Sequence, residues 1–167
     1  MRKIRLSVFC VALLLSFIGC VMQDQSISVQ NGFIYDGVKS IGNARFNFWI
    51  DIPVDWDAED RSENGDGYFL LPGDNTVDLR VYGGHVMPEN DYTTEMLQDP
   101  ANHPIPFYFN DGYKGVSLTK REELYFIRTE RNVHIIFYAK AQKSWLEKHE
   151  SMLKTVASSL RFGRRKE

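Results

Sequence analysis

The stretch ELYFIRTERNVHIIFY, residues 123–138, decides the fold of this chain. It predicts two extended segments, Glu123–Thr129 and Val133–Tyr138, joined by a turn at Glu130–Asn132. Apolar residues occupy nearly every position of both segments, whereas a strand with one solvated face would alternate. We therefore expect a central hairpin whose two faces are both covered by other parts of the chain.

Segments on the N-terminal side extend this hairpin into an antiparallel sheet. The segment from Phe46 to Ile52 alternates apolar and polar side chains, and Pro53 ends it because proline cannot donate a ladder hydrogen bond. Turn residues between apolar segments predict two more hairpins. These are 68–71 with 77–82 around Pro72–Asn75, and 105–109 with 113–119 around Asn110–Gly112.

Two helices complete the predicted domain. Apolar residues spaced by three and four positions predict a helix over 144–158, and Ser144 with Glu147 has the pattern of a capping box at its start. A shorter helix is predicted from an Asn90 or Asp91 cap through Leu97, ended at Asp99-Pro100. The fold class is therefore α+β, an antiparallel β-sheet flanked by helices.

Length and composition restrict the class of protein. The sequence has 167 residues, of which 43% are hydrophobic and 25% charged, and such a chain forms one core rather than a disordered or low-complexity segment. Loss of the basic residues near the N-terminus would leave the domain more acidic than the net charge of −2 of the whole chain. Without a concentrated basic face, nucleic acid is not an expected partner.

The N-terminus has the pattern of a secretory signal. A basic cluster at residues 2–5 precedes an uncharged apolar stretch, Leu6–Ile18, which is too short to span a bilayer. Residues 16–20 resemble the bacterial lipobox, in which the final cysteine receives a lipid; the alternative is a chance cysteine beside an ordinary cleavage site. The predicted divisions are a signal peptide at 1–19, a lipidated N-terminus and tether at 20–30, a single domain at 31–163 and a basic tail at 164–167.

These divisions predict where the protein resides. A lipid on Cys20 would hold the domain to the periplasmic side of the cell envelope. Val21 stands where an aspartate would favour inner-membrane retention in enteric bacteria, so the outer membrane is the preferred location. The basic tail is expected to be solvated, with anionic lipid or an acidic partner as the alternative.

The order of these motifs resembles the PsbP-like family of secreted bacterial proteins and lipoproteins, whose fold also occurs in DcrB-type lipoproteins and the Ran-binding nuclear import factor. The resemblance spans about residues 45–162 and rests on four short motifs: residues 48–53 with Trp56, 63–67, 78–83 and 158–162. It implies an α/β/α sandwich and a binding role, and it carries no catalytic residues over to this chain.

An acidic loop is the segment with the most evident chemistry. Asp55, Asp57, Glu59, Asp60, Glu63 and Asp66 surround a single arginine. The donors at Asp60, Ser62, Asn64 and Asp66 have the spacing of the first half of a calcium loop. Leu71 stands where that loop needs a bidentate glutamate, so a solvated turn is favoured over a metal site.

The histidines show no metal-ligand spacing, and the glycine and serine patterns give neither a nucleophile elbow nor a phosphate loop. His134 and His149 are expected to pack within a strand and on a helix. His85 and His103 lie in predicted loops and are the two candidates for function. We expect no catalytic residues and no cofactor.

Two tryptophans are candidates for a recognition surface. Trp49 lies on the face of its strand opposite the apolar positions, and Trp56 lies close to the acidic loop. Burial in a sandwich core is nevertheless the favoured interpretation for Trp49, with a recognition role as the alternative.

The residues therefore predict a non-catalytic binding module that is anchored to the membrane and has a protein partner. One form of this prediction is a periplasmic immunity protein whose acidic residues Asp57, Asp60, Glu63 and Asp66 face a basic toxin. The rival from a different class is an envelope hydrolase that uses His85 or His103 with a loop carboxylate.

Overall fold

A computed structural model describes residues 30–35 and 37–163. At its centre is the predicted hairpin, in which Tyr125 lies opposite Tyr138 and Glu130 opposite Val133. The turn has two residues rather than three, and Arg131 and Asn132 have φ of 53° and 64°. Positive φ at both positions is what a two-residue turn needs in order to match the twist of the strands.

The described chain contains eleven strands, two α-helices and a short 3-10 helix. In chain order they are β1 (Gln30–Tyr35), β2 (Val38–Asn43), β3 (Phe48–Pro53), β4 (Asp57–Glu59), β5 (Gly67–Leu71), β6 (Asp78–His85), α1 (Tyr92–Gln98), the 3-10 helix (Pro100–Asn102), β7 (Ile105–Tyr108), β8 (Lys114–Lys120), β9 (Glu123–Glu130), β10 (Val133–Lys140), α2 (Lys143–Ser158) and β11 (Arg161–Phe162).

The strands form two antiparallel sheets rather than the single sheet predicted. One has the order β1-β2-β3-β11 and the other the order β4-β5-β6-β10-β9-β8-β7. The prediction lacked β1, β2, β4 and β11, because VKSIGN in β2 has few apolar residues and β4 and β11 have only three and two residues. The α+β class is confirmed.

The main core lies between the two sheets and α2. Ile50 from β3, Phe137 from β10 and Leu153 from α2 are each 0% exposed and belong to one apolar cluster. A second cluster covers the opposite face of the seven-stranded sheet, where Met96 of α1 packs with Ile127. Both faces of the central hairpin are therefore buried over much of their length, as predicted.

The helix boundaries differ from the prediction at one end. Asp91 caps α1, and its carboxylate accepts hydrogen bonds from the backbone N–H groups of Thr93 and Thr94. The capping box in α2 was wrong, because the helix begins one residue earlier and Gln142 is the cap without a side-chain bond. Ser144 is therefore the second residue of the helix and not its cap.

Candidate functional site

A row of large side chains crosses four strands on the face of the seven-stranded sheet that carries α1. In this row Phe69 of β5 lies opposite Arg80 of β6, Arg80 lies opposite Tyr138 of β10, and Tyr138 lies opposite Tyr125 of β9. Alternation along each strand places these four residues on the same face, while their neighbours enter the main core. The register of three strand pairs thus builds one continuous row.

The guanidinium of Arg80 lies between two of these rings. It is 4.4 Å from the ring centroid of Phe69 and 5.7 Å from that of Tyr138, distances that suit cation–π contacts. Two short hydrogen bonds of 2.7 and 2.6 Å hold it to the carboxylate of Asp78. The rings of Tyr125 and Tyr138 are 5.0 Å apart. Arg80 is therefore oriented both by its neighbours in the row and by its own ion pair.

A groove with a volume of about 540 Å³ lies over this row, and we call it the tyrosine groove. Arg61 forms part of its wall, stacked on Phe69 at 5.0 Å and paired with Glu59 at 2.6 Å. The groove is lined by Arg61, Ser62, Asp66, Gly67, Tyr68, Phe69, Arg80, Tyr82, Tyr125 and Tyr138.

Gly67 permits the close approach of β5 and β6 at the wall of the tyrosine groove. A Cβ at this position would lie 2.2 Å from the carbonyl oxygen of Val81 and 2.5 Å from the Cβ of Tyr82. Any other residue would push the two strands apart, because backbone atoms cannot yield as the end of a side chain can. The sequence Gly67-Tyr68-Phe69 thereby places Phe69 next to Arg80.

A row of alternating charges lies beside the ring row. Asp78 lies opposite Lys140, Lys140 opposite Glu123, and Glu123 opposite Lys120. Glu123 accepts a 2.8 Å hydrogen bond from the hydroxyl of Tyr125 and lies 3.2 Å from the Nζ of Lys140. Cross-strand pairs of opposite charge stabilise a sheet and leave little net charge on this side of the groove.

The groove tyrosines are neutral phenols at physiological pH. Burial raises the pKa of Tyr82 to about 12, and burial together with Glu123 raises the pKa of Tyr138 to about 12. The pKa of Tyr125 is raised by burial and by its hydrogen bond to Glu123. Each hydroxyl can therefore donate as well as accept a hydrogen bond.

The acidic loop forms one wall of the tyrosine groove. Of the predicted loop residues, Asp66 and Ser62 line the groove, whereas Glu63 is exposed and outside it. Asp57 lies in β4 with its side chain 83% exposed, 3.6 Å from the Nζ of Lys39. The acidic candidates are thus divided between the groove and open surface.

Asp60 and Ser62 of the calcium-like sequence use their side-chain oxygen atoms in hydrogen bonds within the loop. One carboxylate oxygen of Asp60 accepts hydrogen bonds from the backbone N–H and the hydroxyl of Ser62. The same hydroxyl accepts from the N–H of Asp66, and Arg45 donates to the carbonyl of Asn64. Among the residues that the structure describes, no three acidic, histidine or cysteine side chains form a metal-binding group.

Both tryptophans named as candidates for a recognition surface are buried, which agrees with the core interpretation and contradicts the recognition role. Trp56 is 4% exposed and belongs to the main core. Trp49 lies on the face opposite the main core, as predicted, but it is only 9% exposed. Its indole covers Gly42, where a Cβ would lie 2.7 Å from the ring. Neither side chain presents enough surface to contact a partner.

The candidate histidines lie on the surface, away from the tyrosine groove. The His85 ring contacts Phe46 edge to face at 5.2 Å, and His103 ends the 3-10 helix with φ of 48°. In the described part of the chain, neither imidazole forms an ion pair with a carboxylate. This geometry gives no support to the acid–base pairing that the hydrolase hypothesis requires.

The buried histidine is instead part of a polar network. His134 is 3% exposed, and its Nε2 lies 3.1 Å from a carboxylate oxygen of Asp91. Its Nδ1 lies 2.7 Å from the hydroxyl of Thr129. A neutral ring with its proton on Nε2 satisfies both contacts, since it donates to Asp91 and accepts from Thr129. His149 stacks on Trp145 at 4.0 Å, which agrees with its predicted packing role.

The predicted signal peptide, the lipidation site Cys20, the tether up to residue 29 and the basic tail at 164–167 lie outside the described residues. Within the described ranges, no helix combines the length and the hydropathy needed to cross a bilayer.

The rings and arginine of the tyrosine groove were not predicted as a site. Part of the signal was present, because both tyrosines lie in the predicted hairpin. Its predicted three-residue turn would place Tyr125 opposite Phe137, however, and only the observed two-residue turn places it opposite Tyr138. Phe69 and Arg80 also alternate with core positions in their own predicted hairpin. The missing step was the pairing of β6 with β10, which joins the two hairpins.

The comparisons with known proteins concern the fold alone. No family model matches the chain, and neither does any curated protein. Among solved structures, the solution structure of cyanobacterial PsbP (CyanoP) from Synechocystis sp. PCC 6803 is similar, with a TM-score of 0.54 and 15% sequence identity. The similarity covers 78% of this chain and 95% of that one. The described chain therefore has a PsbP-like fold.

Proposed function

We propose that this protein is a non-catalytic binding module of the bacterial cell envelope and that the tyrosine groove is its binding surface. The observation that carries the proposal is the row of Phe69, Arg80, Tyr138 and Tyr125 beneath an open groove of about 540 Å³. Binding sites typically combine ring side chains with a few placed polar groups. This row has both.

The packing of the helices supports this choice of surface. In the proposed α/β/α sandwich, α2 contributes Leu153 to the main core and α1 contributes Met96 to the other face of the seven-stranded sheet. Because α1 has only seven residues, it covers part of that face, and the tyrosine groove remains beside it. The module thus keeps a binding surface on an otherwise covered sheet.

The proposed location rests on the N-terminal sequence. A signal peptide at residues 1–19 would be removed, and a lipid on Cys20 would hold the module to the periplasmic side of the envelope, with the outer membrane preferred. Membrane association then needs no spanning helix. In this setting the occupant of the groove is a molecule of the envelope.

Site-specific photo-crosslinking in cells tests the binding role. A photoreactive residue replaces Tyr82 in the groove of the full-length protein, and a matched one replaces Lys148, which is exposed on α2. We expect a discrete adduct from position 82 that is absent from position 148 and is lost when Arg80→Ala is added. The same adduct from both positions, or none from position 82, would contradict the proposal.

A Cys20→Ser variant tests the anchor. We expect the wild-type protein to fractionate with membranes and the variant to appear in the soluble periplasmic fraction, because the thioether is lost. A variant that still fractionates with membranes would refute lipidation, while the binding role would be judged by the crosslinking result.

A further inference from the structure

The charges around the tyrosine groove are matched within the protein. Arg80 is bonded to Asp78, and Arg61 lies 2.6 Å from Glu59. Asp66 adds a further carboxylate to the wall. An anionic ligand would have to compete with these carboxylates for the arginines, so the groove is poorly suited to a phosphate or a carboxylate.

A cationic ligand is disfavoured for a different reason. A quaternary ammonium on the rings of Phe69 and Tyr138 would lie beside the guanidinium of Arg80, which is 4.4 and 5.7 Å from their centroids. A second cation there would meet a like charge. The groove therefore suits a ligand without net charge.

The groups that remain available are ring surfaces and hydrogen-bonding edges. The hydroxyl of Tyr82 and the carboxylate of Asp66 make no side-chain hydrogen bond to other described residues. Arg80 uses Nε and one terminal nitrogen for Asp78, which leaves the other terminal nitrogen as a donor. Rings flanked by such groups match a pyranose, which has an apolar C–H face and hydroxyl groups around its rim.

The length of the row indicates more than one sugar. Its accessible part runs through one residue on each of β5, β6 and β10, because Tyr125 of β9 is only 5% exposed. Neighbouring strands are about 4.8 Å apart, so this part extends about 10 Å. This length exceeds that of a single hexose ring. Because the row crosses the strands, an oligosaccharide would lie across the sheet rather than along it.

We infer that the tyrosine groove binds an uncharged oligosaccharide, with Tyr138 stacked on a sugar ring and Arg80, Tyr82 and Asp66 bonded to its hydroxyl groups. The inference rests on the proposed function, since it names the ligand class of the same groove. A glycan of the cell envelope is the class of ligand that this chemistry recognises.

Titration of the purified full-length protein with triacetylchitotriose, cellotriose and maltotriose tests the inference, with amide chemical shifts and calorimetry as readouts. We expect at least one trisaccharide to shift the resonances of β5, β6 and β10. Tyr138→Ala should weaken binding about tenfold, the loss expected for one ring contact. Tyr108→Ala should leave the affinity unchanged, because this tyrosine is 63% exposed on β7 outside the groove.

Tyr138→Phe keeps the ring and guards against a folding defect in the alanine variant; it should bind within about threefold of wild type. Absence of shifts with all three sugars, or preferential binding of inorganic phosphate or choline, would overturn the inference that the ligand is an oligosaccharide. If the adduct at position 82 still forms in that case, the binding module stands with a different ligand. If neither the sugar-induced shifts nor the adduct at position 82 is observed, both proposals are overturned.

Discussion

Replacing Asp91 by alanine should destabilise the domain by about 2–4 kcal/mol. The carboxylate is 9% exposed and accepts four hydrogen bonds: from the backbone N–H groups of Thr93, Thr94 and Met87 at 3.0–3.2 Å, and from His134 at 3.1 Å. Loss of the helix cap costs about 1 kcal/mol. The donors left behind in a buried position cost about 1–3 kcal/mol more.

Urea unfolding followed by circular dichroism at pH 7 measures this loss. Asp91→Asn keeps an oxygen that can cap α1 but removes the charge, so it should lose only about 1 kcal/mol. Asp99→Ala is the matched control, because Asp99 caps only the exposed N–H of Ala101; it should lose less than about 1 kcal/mol.

The same network predicts that the stability of the domain falls at acid pH. Burial opposes ionisation of Asp91, but the N–H groups of Met87 and Thr94 together with His134 outweigh it and lower the pKa from 3.8 to about 2. Because the folded pKa lies below the unfolded one, the stabilisation is complete above about pH 4 and is lost as the pH falls towards 2. The wild-type protein should therefore lose stability in this pH range, and the Asp91→Asn variant should not show this loss. An alanine variant within about 0.5 kcal/mol of wild type, or identical acid profiles, would refute the reasoning.

Further substitutions test the core, the groove and the buried charges. Trp56→Ala should cost about 3–5 kcal/mol in urea unfolding, since it empties a core position, whereas a near-neutral result would place Trp56 on the surface after all. Gly67→Ala should lower stability by about 1–3 kcal/mol because its Cβ meets backbone, and an unchanged midpoint would contradict the close approach of β5 and β6. Arg128 is 4% exposed and paired with two carboxylates, so Arg128→Ala should cost about 3–5 kcal/mol and Arg128→Met clearly less; equal losses would argue against the ion pairs. In a spectrophotometric titration, Tyr82→Phe and Tyr138→Phe should each remove one phenol that ionises near pH 12, and loss of a phenol that ionises near pH 10 instead would contradict burial of these groups.

Much of the candidate site was within reach of the sequence, although the site itself was not predicted. The acidic loop was recognised as a turn before a strand, and the structure shows Asp60 and Ser62 forming that turn. The sequence left the tryptophans open between core and recognition surface, because a large ring beside a polar loop has the same local pattern whether it is exposed or buried. Trp49 is buried through Gly42 on the neighbouring strand, a contact that depends on the register of β2 against β3.

The amino-acid sequence by itself determined the α+β class, the central hairpin and the positions of both helices, because alternation, turn residues and caps act between near neighbours in the chain. Only the tertiary structure decided that the strands form two sheets and that β6 lies beside β10, where Arg80 meets Tyr138. The physical reason is that the choice of neighbouring strands depends on how completely whole apolar faces are buried against each other. This free energy arises between segments that are distant in the chain, so no short stretch of sequence reveals it. The tyrosine groove depends on the resulting strand order.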